Sequence, residues 1–216
     1  MLAAKASRGI GRIFLSTDCN CLKRLAAKHG ATWIKRPSFL ATKKALGEDA
    51  FKHGFEAIKR ILSRDGQQPE FIALLFANAP AVTGEMIDRG IEALRRNPKA
   101  DSAVSVSIYN MWSPLRARRL DADGYLRPFV PFRVFGDPKK LNCDRDSQGN
   151  VYFADMGVSV VRPKCLEQME NGLLPQKWMG RNILPILSWG GCDVDYPWQL
   201  PQVKFWLKNR RKGAPA

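Results

Sequence analysis

The stretch Ile13-Phe14-Leu15-Ser16-Thr17-Asp18 decides the fold, because a short apolar run that ends in polar residues is typical of a β-strand followed by a turn. Residues 19–28 then carry leucine and alanine at helical spacing. Gly30 follows at the point where a helix end favours a residue that tolerates positive φ. Residues 32–34 form a second short apolar run. The first 35 residues therefore predict a β-α-β unit of a mostly parallel sheet.

The residues ahead of this unit contain Arg8-Gly9-Ile10-Gly11, which would either end a helix or cradle a phosphate group. A phosphate-binding loop requires a preceding strand, and no apolar strand precedes these glycines. We therefore expect the segment to end a helix that begins near Met1. Nucleotide-binding α/β domains place phosphates on a glycine-rich loop after their first strand. The sequence thus predicts a domain that lacks the first strand and its loop.

The alternation of helices and strands continues along the chain. The predicted elements are a helix over 49–62, a strand over 71–76, a helix from the N-cap Thr83 to Arg96, strands over 103–108, 151–161 and 183–187, a helix over 163–169, and an amphipathic segment over 198–207. Between residues 111 and 150, prolines and turn residues replace this pattern. We expect a single domain over residues 1–216 with an extended arm inserted at 111–150.

The composition excludes several classes of protein. With 216 residues and 45% hydrophobic content, the chain can bury a sizeable core, so it is not a disordered chain. A formal net charge of +15 indicates an anionic partner or a basic surface, without choosing among nucleotide, nucleic acid and acidic sugar. No apolar run is long enough to span a membrane and no secretory leader is visible. We expect a cytoplasmic protein with reduced cysteines and a solvated tail at residues 210–216.

Asp193-Val194-Asp195 places two carboxylates two residues apart, and in extended backbone both point to one face. Together with phosphate oxygens and water, two such groups form a plausible Mg²⁺ site. The same pattern also serves as a turn or a helix cap, so the pattern alone leaves both interpretations open.

Arg36 and Asn78 each follow the end of a predicted strand, where domains of this type bind their ligands. Pro37 holds Arg36 in an extended conformation that would present its guanidinium to a ligand; the alternative is a solvated arginine in a loop. Asn78 lies among small residues that let a ligand approach the backbone, and its amide both donates and accepts hydrogen bonds. The alternative for Asn78 is a tight turn between strand and helix.

Taken together, these segments resemble the acylneuraminate cytidylyltransferase family, the CMP-sialic acid synthetases and their relatives. The segments that carry the resemblance are Ser16-Thr17-Asp18, Gly30-Ala31, Arg36-Pro37, Leu40-Ala41, residues 74–80, Val104-Ser105-Val106 and Asp193-Val194-Asp195. The resemblance implies a three-layer α/β/α, Rossmann-like nucleotidyltransferase that is usually a homodimer. It further implies transfer of CMP from CTP to an acidic, sialic-acid-like nine-carbon or eight-carbon sugar, with Mg²⁺ and release of pyrophosphate.

The resemblance also implies roles for individual residues. Arg36 matches an arginine near the cytosine, Asn78 lies in the nucleotide-binding segment, and Asp193 and Asp195 match the catalytic, metal-binding pair. Arg116 matches a basic residue that the dimerisation arm offers to the sugar of the neighbouring subunit. Similarly, Arg145 matches an arginine that precedes a Val-Tyr pair and would contact the sugar.

The sequence departs from the family pattern at several positions. Phe76 replaces a sugar-facing glutamine, Lys43 replaces an aspartate, and residues 153–156 (FADM) replace an Arg-x-Asn-Gly motif. The first strand and basic loop, which in the family hold the CTP phosphates near the centre of the sheet, are not found. A second hypothesis is therefore a catalytically inactive, truncated homologue that binds nucleotide or sugar nucleotide. A third is a basic nucleic-acid binder, although the basic residues form no known nucleic-acid motif.

Overall fold

The computed structural model describes residues 1–188, 191 and 193–209, so the predicted tail at 210–216 lies outside the described residues. The helices are α1 (Leu2–Ala6), α2 (Asn20–Lys28), α3 (Gly47–Ser63), α4 (Gly84–Arg96), α5 (Pro163–Glu167) and α6 (Leu200–Asn209). The strands are β1 (Phe14–Thr17), β2 (Thr32–Lys35), β3 (Ile72–Leu75), β4 (Ser102–Ile108), β5 (Arg118–Leu120), β6 (Leu126–Pro128), β7 (Tyr152–Val161) and β8 (Ile183–Leu187). No helix among the described residues is long and apolar enough to cross a membrane.

The central sheet has four strands in the order β3-β7-β4-β8. β7 is antiparallel to both of its neighbours, and β4 is parallel to β8. Consequently β3, β4 and β8 all run in one direction, with β7 reversed between two of them. The carboxyl ends of these three parallel strands lie at one edge of the sheet, where an open α/β sheet offers its ligand site.

A second, two-stranded sheet is formed by β1 and β2, which pair in parallel with Phe14 opposite Thr32 and Thr17 opposite Lys35. α2 connects the two strands and contacts both, and Gly30 after it has φ of 68°. These observations confirm the predicted β-α-β unit. Within the described residues this sheet does not pair with the central one, so that β1 pairs only with β2, and β3 only with β7.

The core lies on both faces of the central sheet. One cluster joins Phe55 of α3 and Leu166 of α5 to the strands, and the other joins Ile87 and its neighbours on α4 to the opposite face. Because side chains of a strand alternate between faces, consecutive residues of β7, Val160 and Val161, enter opposite clusters. The arrangement is the predicted sheet between two helical layers.

Burial differs sharply between strands. In β4 all residues from Ser102 to Ser107 are buried, whereas in β3 only Ile72 is. β4 has a hydrogen-bonded strand on each side, but β3 has one neighbour only in the described part of the chain. The apolar run at 71–76, which the sequence predicts as a buried strand, therefore forms β3, but most residues of this strand are only partly buried.

The amino-terminal segment is fastened to α4 by one carboxylate. The Ser7 hydroxyl donates to Asp88 Oδ1 at 2.6 Å, and the N–H groups of Arg8 and Gly9 donate to Asp88 oxygens at 3.1 and 3.0 Å. Burial acts to raise the pKa of Asp88, but these bonds and the charge of Arg8 lower it below its ordinary value. α1 begins at Leu2, near Met1 as predicted, but it ends at Ala6, before Gly9 and Gly11. The backbone N–H groups of Arg8 and Gly9, which could otherwise hold a phosphate, are bound to Asp88.

Asp101 fixes the start of β8 and α5 against the central sheet. Its Oδ2 accepts the N–H groups of Arg181 and Asn182, both at 2.9 Å, and its Oδ1 lies 2.6 Å from Lys164 Nζ. Burial acts to raise the pKa of Asp101, and the bonds from Lys164 and the two N–H groups outweigh it, so the pKa is lowered. A buried charge that is bonded in this way joins three segments distant in sequence.

Local capping also follows the sequence. Thr83 Oγ1 accepts the N–H of Met86 at 3.2 Å and caps α4, and Pro163 is in the first turn of α5.

The segment predicted as an arm contains the hairpin of β5 and β6 together with short 3-10 turns. At its base, Asn110 donates to Asp146 at 2.6 Å and accepts the N–H of Val151 at 2.9 Å.

Candidate active site at the carboxyl edge of the central sheet

Asn78 meets the Asp193-Val194-Asp195 segment at the carboxyl edge of the central sheet. The N–H of Val194 donates to the Asn78 carbonyl at 2.8 Å, and Asn78 Nδ2 donates to Asp195 Oδ1 at 3.1 Å. Asn78 follows β3, and the aspartates follow β8. The structure therefore brings three of the predicted site residues together from two distant parts of the sequence.

Gln199 shapes the segment that carries the aspartates. Its Oε1 accepts the N–H groups of Asp195 at 2.8 Å and Tyr196 at 2.7 Å, while its Nε2 donates to the carbonyl of Asp193 at 2.9 Å. The backbone thus forms the turn that leads into α6, one of the two interpretations left open by the sequence. The carboxylates are not used in that cap, so they stay available to a ligand or a cation.

Asp155 of β7 is a further carboxylate at this edge. It accepts hydrogen bonds from the Ser105 hydroxyl, from Ser107 Oγ at 3.1 Å and from the N–H of Gly157 at 3.1 Å. The pairing of β4 with β7 shifts register here, and Met156 has φ of 56°, rare for a residue with a side chain. An irregularity of this kind re-aims a side chain, here that of Asp155 toward the two serines of β4.

Gly191, between β8 and the aspartates, lies directly on Asp155. Its N–H donates to Ser107 Oγ at 3.0 Å. A Cβ atom at position 191 would lie 2.0 Å from the Cβ of Asp155, so that no residue other than glycine fits without movement. The loop and β7 are therefore in immediate contact.

The electrostatics of the edge favour a cation. The pKa of Asp193 is raised, first by loss of hydration and then by the negative charges of Asp195 and Asp155. Such mutual repulsion is relieved by a bound hard cation, and carboxylate oxygens are ligands that Mg²⁺ prefers. No group of three or more His, Cys, Asp or Glu side chains in the described part of the chain could hold a metal ion by itself. Asp193 and Asp195 offer two such carboxylates, and a cation bound there would take its remaining oxygens from a ligand and water.

Arg36 lies on the two-stranded sheet, just past the end of β2. Its Nε donates to Ser16 Oγ at 3.2 Å, and its Nη2 donates to the Ser16 carbonyl at 2.7 Å. The guanidinium is thereby held across the end of β1 rather than solvated in a loop. Among the described residues, no hydrogen bond or ion pair joins Arg36 to Asp193 or Asp195.

Beyond Arg36, the segment that follows β2 and the first turns of α3 enclose a shallow cavity of about 520 Å³. Two cations, Lys44 and Lys52, line it together with Asp49 and His53. A cavity of this size is within the range of small-molecule sites. The remaining lining is mostly apolar, with Phe39, Leu40 and Ala45.

Arg116 and Arg145 lie in the arm, around a different carboxylate. Arg116 Nη2 donates to the carbonyl of Cys143 at 2.6 Å, and Arg145 Nε lies 3.2 Å from Asp146. The bond from Asn110, the bond from Arg145 and the charge of Arg116 lower the pKa of Asp146. The two arginines are therefore neighbours, and in the part of the chain that the structure describes neither is bonded to Asp193 or Asp195.

Several site residues were not found by sequence reasoning. Ser105 and Ser107 carried a weak signal, because two polar residues at alternate positions at the end of an apolar strand share one face. Asp155 and Gly191 carried none, since their proximity depends on the pairing of β4 with β7 and on the path of the loop after β8. In the sequence, Asp155 is distinguished only as part of the segment that departs from the Arg-x-Asn-Gly motif.

No family model and no curated protein matches the sequence. Among solved structures, the chain is similar to that of CMP:2-keto-3-deoxy-manno-octonic acid synthetase complexed with CTP, with a TM-score of 0.63 and 13% identity, covering 96% of this chain and 85% of that chain. The fold is nucleotidyltransferase-like. At this identity the similarity concerns the fold, and it confirms the predicted fold class.

Proposed function

We propose that the protein is a cytidylyltransferase that transfers CMP from CTP to an acidic sugar, either sialic-acid-like or of the eight-carbon keto-acid class, and releases pyrophosphate. The observation that carries the proposal is the attachment of the Asp193-Val194-Asp195 segment to Asn78, through the Val194 N–H and the Asp195 carboxylate, at the carboxyl edge of a nucleotidyltransferase-like sheet. The similar solved structure was determined with CTP bound. A net charge of +15 suits ligands that are both anionic.

In this proposal Asp193 and Asp195 would hold Mg²⁺, which neutralises phosphate charge and polarises the α-phosphoryl group when bound. Asn78 holds the Asp195 carboxylate, and Gln199 holds the backbone on both sides of Val194. Arg36, which is fixed to Ser16, would donate to the nucleotide. These residues orient the reactants before the chemical step.

The reaction is an in-line displacement at the α-phosphorus of CTP. The anomeric hydroxyl oxygen of the sugar forms the new P–O bond, the bond to the β-phosphate oxygen breaks, and the hydroxyl proton passes to water. Pyrophosphate leaves with the bonding electrons. Orientation of the two anionic substrates is the part of this reaction that the described residues supply.

We further propose a homodimer in which the arm contributes Arg116 and Arg145 to the sugar site of the partner subunit. The arm leaves large apolar side chains exposed, among them Met111, Trp112 and Phe129. Exposed apolar groups of this kind are typical of protein interfaces. Light scattering of the purified chain tests the dimer directly, and a monomer at micromolar concentration would contradict it.

The proposed activity is tested by pyrophosphate release from CTP with N-acetylneuraminic acid or 2-keto-3-deoxy-manno-octonic acid, with and without Mg²⁺. We expect Mg²⁺-dependent turnover, and loss of about 100-fold in kcat for Asp195→Asn, because a ligand to the cation is lost. Asp123→Asn, at an exposed turn of the arm, is the matched control. Isothermal titrations with CTP and with a CMP-sugar accompany the assay. Binding of either ligand without turnover supports the inactive homologue, and absence of binding of both ligands contradicts both hypotheses.

A further inference from the structure

We infer that Ser107 and Asp155 are positioning residues that hold the loop bearing Asp193 and Asp195 in place. The purpose of the loop rests on the proposed function, whereas the contact itself does not. We call the hydrogen-bonded chain from Gly191 through Ser107 to Asp155 the serine bridge. It joins the loop after β8 to the carboxyl end of β4 and the first half of β7.

The direction of the serine bridge follows from its donors. The Gly191 N–H donates to Ser107 Oγ at 3.0 Å, so that the single hydroxyl proton of Ser107 is available to Asp155 Oδ2 at 3.1 Å. Ser107 is only 2% exposed, and water does not compete readily for its hydroxyl. A buried hydroxyl between a fixed donor and a carboxylate has one arrangement that satisfies both neighbours.

Asp155 is itself rigidly placed. The Ser105 hydroxyl and the N–H of Gly157 donate to its Oδ1, and Ser105 Oγ also accepts the N–H of Val158 at 3.0 Å. All of these donors lie on β4 and β7, the two most extensively paired strands of the sheet. The Asp155 carboxylate is therefore fixed relative to the central sheet, and through Ser107 it fixes the position of Gly191.

Gly191 and Asp155 are in such close contact that there is no room for a side chain at position 191. Because a Cβ at this position would lie 2.0 Å from that of Asp155, the loop backbone rests against the strand. Asp193 follows two residues later and Asp195 four residues later. Release of Gly191 would therefore widen the range of positions of both carboxylates.

Loss of groups that orient metal ligands typically weakens metal binding about 10-fold to 100-fold. The serine bridge would act in this indirect way, since Ser107 touches neither the nucleotide nor the cation in the proposed site. Its effect is therefore separable from that of Asp195, which would bind the cation directly.

The experiment compares Ser107→Ala with Ser159→Ala. Ser159 is a fully buried serine of β7 whose hydroxyl has no hydrogen-bond partner within the described structure, so its removal controls for the loss of a buried hydroxyl. Hydrogen exchange of the metal-free chain is followed in the peptide that contains Gly191. Binding of Mn²⁺ in the presence of CTP is followed by electron paramagnetic resonance. Ser107→Thr, which keeps the hydroxyl, serves as the rescue variant.

We expect Ser107→Ala to raise exchange at Gly191 about tenfold, as for the loss of one hydrogen bond, and to weaken Mn²⁺ binding about tenfold. Ser159→Ala should change neither, and Ser107→Thr should restore both. Equal rates of hydrogen exchange at Gly191 in Ser107→Ala and Ser159→Ala would show that the serine bridge does not exist. Faster exchange with unchanged Mn²⁺ affinity would overturn its positioning role. If the unmodified chain binds no Mn²⁺ with CTP, the proposed function fails, and the exchange result still decides whether the bridge exists.

Discussion

β4 and β1 both lead to candidate site residues, yet they hold those residues in different ways. β4 is paired on both sides, and its Ser105 and Ser107 bind groups from β7 and from the loop after β8. β1 is paired with β2 alone in the described structure, and its Ser16 binds Arg36, only 20 residues away in sequence. Long-range contacts support the carboxylates, whereas a local contact supports the arginine.

This difference predicts an uneven distribution of stability. Regions with few buried apolar contacts open at lower free energy than the core of the sheet. The residues of β1 are half-buried except Thr17, while those of β4 are buried up to Ser107. We therefore expect β1 and β2 to open at lower free energy than the central sheet.

The largest expected effect is on the core of the central sheet. Leu94→Ala, at a fully buried position on α4, should lower the free energy of unfolding by about 3 to 4 kcal/mol. Leu15→Ala, the same change at a half-buried position of β1, should cost about 1 kcal/mol, because less apolar surface is lost from the interior. Urea denaturation of both variants measures the difference, and equal losses would contradict the comparison.

A second effect concerns pH. The pKa of Asp101 is lowered from its ordinary value of 3.8, so its stabilising contribution is complete above that value and is lost as the pH falls through the lower pKa of the folded state. Asp101→Asn should therefore remove about 2 kcal/mol at pH 7 and flatten the decline of stability in acid. Unfolding free energies at pH 7, 5 and 3 check this expectation.

The matched control is Asp65, whose carboxylate pairs with Arg12 at 2.8 Å beside the two-stranded sheet, where the side chain of Asp65 is 55% exposed and that of Arg12 is 37% exposed. Asp65→Asn should cost less than about 1 kcal/mol at pH 7, since exposed pairs contribute little. If the Asp65 variant lost as much stability as the Asp101 variant, the two regions would not differ in the manner proposed.

Much of the fold was predictable from local pattern. The polar end of β1, the glycine after α2, the cap at Thr83 and the proline that begins α5 are all short-range signals, and each has the predicted structural consequence. The position of Asn78 and of the aspartate segment at one edge of the sheet was predictable for a similar reason. Residues that follow parallel strands meet at one edge of a sheet, whichever strands are involved.

The remaining features depend on partners that are distant in sequence. The reversed direction of β7, the register shift that re-aims Asp155 and the contact of Gly191 with that residue have no local signature. Arg116 and Arg145 were assigned to a sugar site on resemblance, and the structure places them around Asp146 within the arm. Their predicted role toward a partner subunit remains a prediction.

The smallest expected effect tests the local support of Arg36. Ser16→Ala removes the hydroxyl that accepts from Arg36 Nε but leaves the backbone carbonyl bond, so the guanidinium should be held less firmly. We expect the Kd for CTP to rise only about threefold to fivefold, because the bond from Nη2 to the Ser16 carbonyl still holds the guanidinium, with little change in global stability. Calorimetric titration measures it against Ser63→Ala, an exposed serine at the end of α3. A change of 100-fold would mean that Ser16 itself contacts the nucleotide.

The attachment of Arg36 to Ser16 has an entropic consequence. Ordering a free arginine side chain costs up to about 2 kcal/mol of rotamer freedom, a cost that a ligand normally meets when it binds. Here two donors of the guanidinium are already engaged by one residue, and the planar group leaves its other N–H donors in fixed directions. The loss of freedom is thus incurred during folding. A ligand that binds Arg36 would meet N–H donors in fixed directions. The placement of the ligand's oxygen atoms, more than its charge, would then decide whether it binds.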